Sequence, residues 1–490
     1  MKRSKFSLSN YKLFSCDLGE LIPCGLTEVL PGDTLQHSTS AMIRCAPLLA
    51  PVMHPVHVHI RHFFVPFRLL WSAWEDFITG GPNGMDASVF PTISLNNGHP
   101  AGSLVDYLGV PPGVALSVSA LPFRAYALVY NEYYRDQDLQ SELPISLNSG
   151  VDGVTSLALQ KCNWEKDYFT SSRPWEQKGP SISIPLGTYA PVVNNGNVPK
   201  MATAPGGAGA EIKFNSGGGV NRMNINSIPA DGSNLYWAAE TGLRADLAGV
   251  SAVTVNVLRE AMALQRYEEN RARFGSRYVE YLRYLGVRSS DARLQRPEYL
   301  GGGQQTIQFS EVLQTAEGTD PVGDLKGHGI AAMRSNRYRR FFEEHGYVMS
   351  FLSVRPKSMY MSGLPRTFNR RVKEDFWQKE LQHLGQQEVL NKEVYAAHAS
   401  PDGTFGYQDR YDEYRREWSS VGGEFRNSTL NYWHFARDFS SSPALNSAFV
   451  TCTPTERTFA VPSQDVLYVM ARHSIQARRM VAAVGSSHIF

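Results

Sequence analysis

The sequence predicts a mainly β protein in which two antiparallel sheets pack face to face in Greek-key order, with long insertions between strands. Three observations carry this. Several short segments alternate apolar with polar residues and are rich in Val, Ile, Phe and Tyr. Some of them crowd both ends of the chain, so early segments must pair with late ones to complete a sheet. Charged residues make up only 19% of the 490 positions, below the roughly 25% of an average soluble protein, while Gly (41) and Pro (28) are plentiful.

The predicted strands, in chain order, are "SAMIRCAPLL" (40–49), "PVHVHIRHFFVPF" (55–67), "GVALSVSALPF" (113–123), "TIQFSEVLQT" (306–315), "GYVMSFLSVRP" (346–356), "AFVTCTPTERTFAV" (448–461) and "DVLYVMARHSIQARRMV" (465–481). Between them, residues 190–235 are loaded with Gly, Asn, Pro and Ser and have little apolar periodicity, which reads as a surface insertion loop. A helix is expected from about Val255 to Arg273. A second covers "SRYVEYLRYLG", where Tyr278, Tyr281, Leu282 and Leu285 share one side ahead of Gly286. The rest of that surface, rich in Arg and Glu, reads as a solvated face or a subunit contact.

Lys and Arg number 48 against 46 acidic residues, so bulk charge makes no polybasic coat. The basic start "MKRSKFSLSNYKLF" is followed by no apolar run, and no segment reaches the roughly 18 apolar residues a bilayer span needs. A soluble chain without membrane insertion or a cleavable export signal is expected. Cys16, Cys24, Cys45, Cys162 and Cys452 form no Cys-x-x-Cys pair, which points to free, buried thiols in a reducing compartment.

Most catalytic patterns are missing. No Gly-Lys pair exists for a phosphate loop, and the glycines at 206–209, 217–219 and 301–303 read as loop geometry. The histidines of "HPVHVHIRHFFVPF" pose the sharper question. On a strand, His57 and His59 project together with Arg61 and Phe63, a spacing that starts the metal site of a cupin-like enzyme. The first acidic residue after His59 is Glu75, too far for the glutamate that such a site needs. His57, His59 and Arg61 therefore read as the polar face of a half-buried strand, available to a neighbour or to nucleic acid, with no cofactor or metal expected. Near the C-terminus Arg472, Ser474, Gln476 and Arg478 alternate with Ala471, His473, Ile475 and Ala477, a cationic stripe that suits phosphates.

Four stretches carry a resemblance. "LSNYKLFSCDLGELIPCGLTEVLPGDTLQHSTSAMIRCAPLLAPVMHPVHVHIRHFFVPFRLLW", "RSSDARLQRPEYLGGG", "HGYVMSFLSVRPKSMYMSGLPRTFNRR" and "YQDRYDEYRREW" closely resemble the major capsid protein of microviruses, small single-stranded DNA bacteriophages. The resemblance runs in order from about residue 7 to residue 481. It implies one eight-stranded antiparallel jelly roll over residues 1–490 with long loop insertions, not an enzyme. It also implies a T=1 icosahedral shell around circular single-stranded DNA, built from a pentameric intermediate in bacterial cytoplasm. Expected partners are a small basic DNA-binding protein, a pilot or minor virion protein and a host surface receptor. The candidate genome contacts are His57, His59, Arg61, Arg472 and Arg478. The candidate attachment residues, in the 190–235 loop, are Asn194, Asn195, Asn197, Asn215 and Asn221.

Overall fold

The computed structural model describes residues 3–96, 98–182, 192–194, 200–202, 210–215, 222–225, 236–238, 243–245, 255–275, 277–315 and 321–482. Two compact units are present: residues 1–176 with 271–490, and residues 177–270. The first holds eight principal strands: β1 Asn10–Cys16, β2 Ile22–Val29, β3 Thr34–Cys45, β4 Val56–Pro66, β5 Glu298–Thr306, β6 Leu325–Arg334, β7 Gly346–Pro356 and β8 Leu467–Arg479. One sheet runs β1-β8-β3-β6 and the other β2-β7-β4-β5, all antiparallel. That order is a jelly roll, since each sheet interleaves strands from both halves of the chain. Short strands Ser4–Ser7, Gln308–Leu313 and Tyr338–Phe341 extend the first sheet on β8, β6 and β3.

Alternation decides how each strand sits. In β8, Leu467, Val469, Ala471, His473, Ile475 and Ala477 are buried while Tyr468, Met470, Arg472 and Arg478 are exposed, as the sequence period of two requires. Leu467 and Val469 meet Cys24, Ile43, Val58, Ile60, Leu352 and Val354 in the core between the sheets, and Ile475 and Ala477 meet Val29, Leu35, Phe64 and Val348 in a second cluster. Each such side chain contributes roughly 1.5–3 kcal/mol on burial. β4 and β7 are instead buried on nearly every residue. The outer side of their sheet is covered by helix α1, Leu121–Val129, and by Phe67, Leu70, Trp71, Ile93 and Leu95. Under that cover Arg124 donates to Asp152 (2.8 Å) and to the carbonyls of Leu70 (2.9 Å) and Asn148 (3.0 Å), so the buried charge is fully engaged.

Several expectations need correction. Within 113–123 only Leu116–Ser119 is strand. Pro122, in the first turn of α1, lacks the N–H that a helix start leaves unused. Residues 448–461 form no extended strand, because the Asn446 side chain accepts from Phe449 N–H (3.0 Å) and caps a short helix, Ser447–Val450. Gly301, Gly302 and Gly303 lie inside β5 rather than in a loop. A Cβ at Gly302 would stand 2.3 Å from the Ile60 carbonyl oxygen, and one at Gly303 2.9 Å from Ser335 Cα. Helix α2 spans Val255–Phe274 as expected, and α3 spans Tyr278–Tyr284. The stripe on α3 is not buried, for Tyr278, Tyr281 and Leu285 are all exposed. Caps hold that helix instead: Glu280 accepts from Gln137 and from Arg277 N–H, and Arg277 donates to the Asn131 carbonyl. In the second unit, Lys200–Ala202, Ala210–Asn215, Arg222–Ile225 and Tyr236–Trp237 form a small sheet, and Val192–Asn194 pairs with Leu243–Ala245.

A polar knot interrupts the core. His37 of β3, His62 of β4 and His473 of β8 are buried, with the His37 ring 4.7 Å from that of His62 and 5.7 Å from that of His473. Thr39 Oγ1 bridges His37 Nε2 (3.1 Å) and His473 Nδ1 (2.8 Å), while His62 is held between Ser350 (2.8 Å) and Ser335 (3.0 Å). Gly25 admits the His473 ring, since a Cβ there would lie 2.6 Å from it. Burial pushes His37 down to about 2 and His62 to about 3, and lowers His473 as well. The unfolded chain therefore takes up protons below about pH 6.5 that the folded chain refuses. Stability is full above that pH and falls below it, by up to about 1.4 kcal/mol per pH unit for each histidine. Urea unfolding at stepped pH should show this fall, and His37→Gln should flatten it by about one proton. A midpoint that does not move between about pH 7 and pH 5 contradicts the account.

Candidate nucleic-acid interface

The open face of the β1-β8-β3-β6 sheet is built row by row from strand register. Tyr11, Arg472, Ser40 and Arg334 lie side by side across β1, β8, β3 and β6. The next row is Leu13, Met470, Met42 and Ala332, and the one after it is Ser15, Tyr468, Arg44 and Ile330. In the other direction Gln476 stands between Ser7 and Gln36, which neighbours Arg339. Arg478 stands between Lys5 and Thr34, which neighbours Phe341. Lys5, Arg44, Arg334, Arg339, Arg472 and Arg478 are exposed, and no Asp or Glu occupies any of these rows. The Arg472 guanidinium lies over the Tyr11 ring at 5.6 Å, and Arg3 lies over Phe341 at 5.0 Å. These cations, interleaved with exposed aromatic rings and with Asp465 at the edge accepting from Ser15, form a surface that can hold phosphates and stack on bases.

His57, His59 and Arg61 occupy the outer side of the other sheet, so the sandwich separates them from Arg472 and Arg478. They do not share one polar surface. His57 is half-buried, with Thr306 Oγ1 3.3 Å away. His59 is buried between Glu165 (3.5 Å) and Arg355 (3.3 Å). Burial lowers the His59 pKa against the pull of Glu165, whose own carboxyl is held at about 2 by His59 and Lys357. Arg61 stands 5.7 Å from the Tyr134 ring centre and lines a cavity of about 530 Å³ with Tyr134, Asn163 and Arg355. The His57 and His59 rings are 6.4 Å apart, and among the described residues no three His, Cys, Asp or Glu side chains are grouped as metal ligands. Asn194 and Asn215 end short strands, whereas Asn195, Asn197 and Asn221, and the glycines at 206–209 and 217–219, lie outside the described residues.

Sequence reasoning missed Lys5, Tyr11, Arg44, Arg334, Arg339 and Tyr468. Each sits at an outward position of its own strand, a signal visible in isolation, but only register lines them up with Arg472 and Arg478.

The family model described as capsid protein (F protein) matches residues 1–489. This chain belongs to the capsid protein (F protein) family. It is 38% identical to capsid protein VP1 of Bdellovibrio phage phiMH2K over 94% of this chain and 90% of that one. It is 33% identical to capsid protein VP1 of Chlamydia phage 1 (95% and 92% covered) and 31% identical to that of Spiroplasma virus 4 (94% and 90%). The protein is thus a structural capsid protein, a component of a virion, and among its described residues no helix is long and apolar enough to cross a membrane.

In this capsid protein the two strand histidines should differ sharply. His59→Gln should cost about 1–3 kcal/mol, because it weakens the support of a buried carboxylate, whereas His57→Gln should stay within about 0.5 kcal/mol. Denaturant unfolding of the two variants checks this, and equal losses contradict it.

Proposed function

We propose that this capsid protein is the coat subunit of a T=1 icosahedral shell around circular single-stranded DNA, with the open face of the β1-β8-β3-β6 sheet turned toward the genome. The observation that carries the reading is the Tyr11, Arg472, Ser40, Arg334 row and its cationic neighbours, free of carboxylates. Such a face grips phosphate wherever it passes and reads little sequence, with a stacked base adding roughly 1–3 kcal/mol. Arg472 and Arg478 are contacts in this reading. His57, His59 and Arg61 face the other way and are not.

Bulk charge sets the partners. About sixty copies at +2 supply about 120 positive charges, against one phosphate per nucleotide packaged. A small basic DNA-binding protein or abundant counterions make up the difference. Subunits assemble through pentamers in the host cytoplasm, alongside a pilot or minor virion protein. Residues 190–235, with Asn194 and Asn215 among them, serve attachment to a host surface receptor, because a Gly/Asn-rich excursion on a rigid scaffold suits recognition.

Titration of the purified subunit with single-stranded DNA over a range of salt tests the genome face. Arg334→Glu, Arg472→Glu and Arg478→Glu together should lower affinity at least tenfold, and reduce the slope of log K against log salt by about 2. His57→Glu with Arg61→Glu should leave binding unchanged. The reverse outcome places the genome on the other sheet. Deleting residues 190–235 should spare particle formation and impair adsorption to host cells, and unimpaired adsorption overturns the attachment role.

A further inference from the structure

Cys162 and Cys452 are 290 positions apart in sequence and lie directly opposite each other in space. Asn163 and Thr451 form an antiparallel bridge. On its two sides Trp164 N–H donates to the Val450 carbonyl (2.9 Å) and Cys452 N–H donates to the Cys162 carbonyl (2.8 Å). One residue along from that bridge, Cys162 lies opposite Cys452, joined to it by one cross-strand hydrogen bond while its own N–H goes to Gly19. Disulfides span about 4.4–6.8 Å between Cα atoms, a range that covers the spacing of residues facing each other across an antiparallel pair. Both side chains are buried in one small cluster with Trp164, near enough that each thiol perturbs the ionisation of the other, and the Cys162 thiol donates to the Gly19 carbonyl (3.1 Å).

The surroundings fix this geometry. Gly19, at φ +86°, accepts Cys162 N–H on its carbonyl (2.8 Å) and packs so closely that a Cβ would lie 2.2 Å from the Cys452 carbonyl oxygen. Three distant segments are clamped side by side. The thiols are free in the structure.

We propose that Cys162 and Cys452 are a redox-sensitive staple, reduced while the chain folds and closed to a disulfide by a small-molecule disulfide oxidant. One protein thiolate attacks a sulfur of the oxidant, forming a mixed disulfide and releasing one small-molecule thiolate. The second protein thiol gives its proton to that thiolate and attacks the protein sulfur of the mixed disulfide, expelling a second small-molecule thiolate, which takes up the proton the first protein thiol had lost. Two protein thiols are oxidised and one oxidant molecule is reduced to two thiols. The bond closes a loop that contains the whole second unit, residues 177–270, and three of the eight principal strands, β5, β6 and β7. Closing so long a loop restricts the unfolded chain strongly. On the proposed assembly route the staple closes when the particle leaves a reducing cytoplasm, but its chemistry does not depend on that route.

The test uses the purified full-length protein and assembled particles, incubated with glutathione disulfide at stepped temperatures below the melting point. The free-thiol count should fall from five to three, the intact mass should drop by about two daltons, and peptide mapping should join Cys162 to Cys452. The melting temperature should rise by at least about 3 °C and return on treatment with dithiothreitol. Cys162→Ser and Cys452→Ser should each abolish the rise. Because the wild-type measurement is reversible, it stands even where a variant folds poorly. Five thiols remaining at every temperature, or a bond joining other cysteines, overturns the staple without touching the capsid reading. DNA binding left unchanged by Arg334→Glu, Arg472→Glu and Arg478→Glu together, with the staple closing normally, overturns the genome face alone.

Discussion

The seating of β8 between β1 and β3 is the pairing on which the rest depends. A strand of 13 residues near the C-terminus binds Asn10–Cys16 on one edge and Thr34–Cys45 on the other, so the first sheet exists only once the whole chain has been made. A slip of one residue in that register turns Val469, Ala471 and Ile475 to solvent and Arg472 and Arg478 into the core, which makes the native pairing strongly specified. The same register places His473 opposite Thr39, which bridges it to His37, and lines Arg472 up with Arg334. Core and surface follow from one ladder.

Buried polar groups then fix how the two sheets meet. The His37, His62 and His473 knot joins three strands from both sheets, and Ser335 serves it twice, donating or accepting at His62 and accepting from the Thr39 N–H (2.9 Å). A hydrophobic core tolerates sliding, whereas these groups are satisfied in one arrangement only, and an unmade bond there costs roughly 1–3 kcal/mol. The bare backbones at Gly25, Gly302 and Gly303 give the knot and its flanking strands room to approach.

The stretches that carry the resemblance prove to be places of close packing. In "GLPR", a Cβ at Gly363 would lie 2.5 Å from the Glu393 carbonyl oxygen, and Arg366 donates to the Glu393 carboxylate (3.0 Å). Arg370 from the same stretch lies 4.5 Å from the Tyr414 ring centre in "YDEYRREW". Burial raises the Glu393 pKa against the pull of Arg366, so this cluster joins two distant loops by charge that has little solvent. The bare glycines of "EYLGGG" belong to the same class. Their specificity comes from backbone contact, which leaves few residue choices.

By itself the sequence determined β4, β7, β8, the short strand Gln308–Leu313, the second half of β3, the helix α2, and the outward placement of Arg472 and Arg478, because those features depend on local composition and period. It misread 113–123 and 448–461, where Pro122 and the Asn446 cap favour helix over an apolar pattern that looks extended. It misread β4 as half-buried, because cover from α1 and from Trp71 is a property of distant chain. Only tertiary structure decided that Arg472 and Arg478 join Arg44, Arg334 and Arg339 while His57, His59 and Arg61 lie on the opposite side. A strand's faces are set by its own residues, but which faces share a surface is set by hydrogen-bond register between strands hundreds of residues apart.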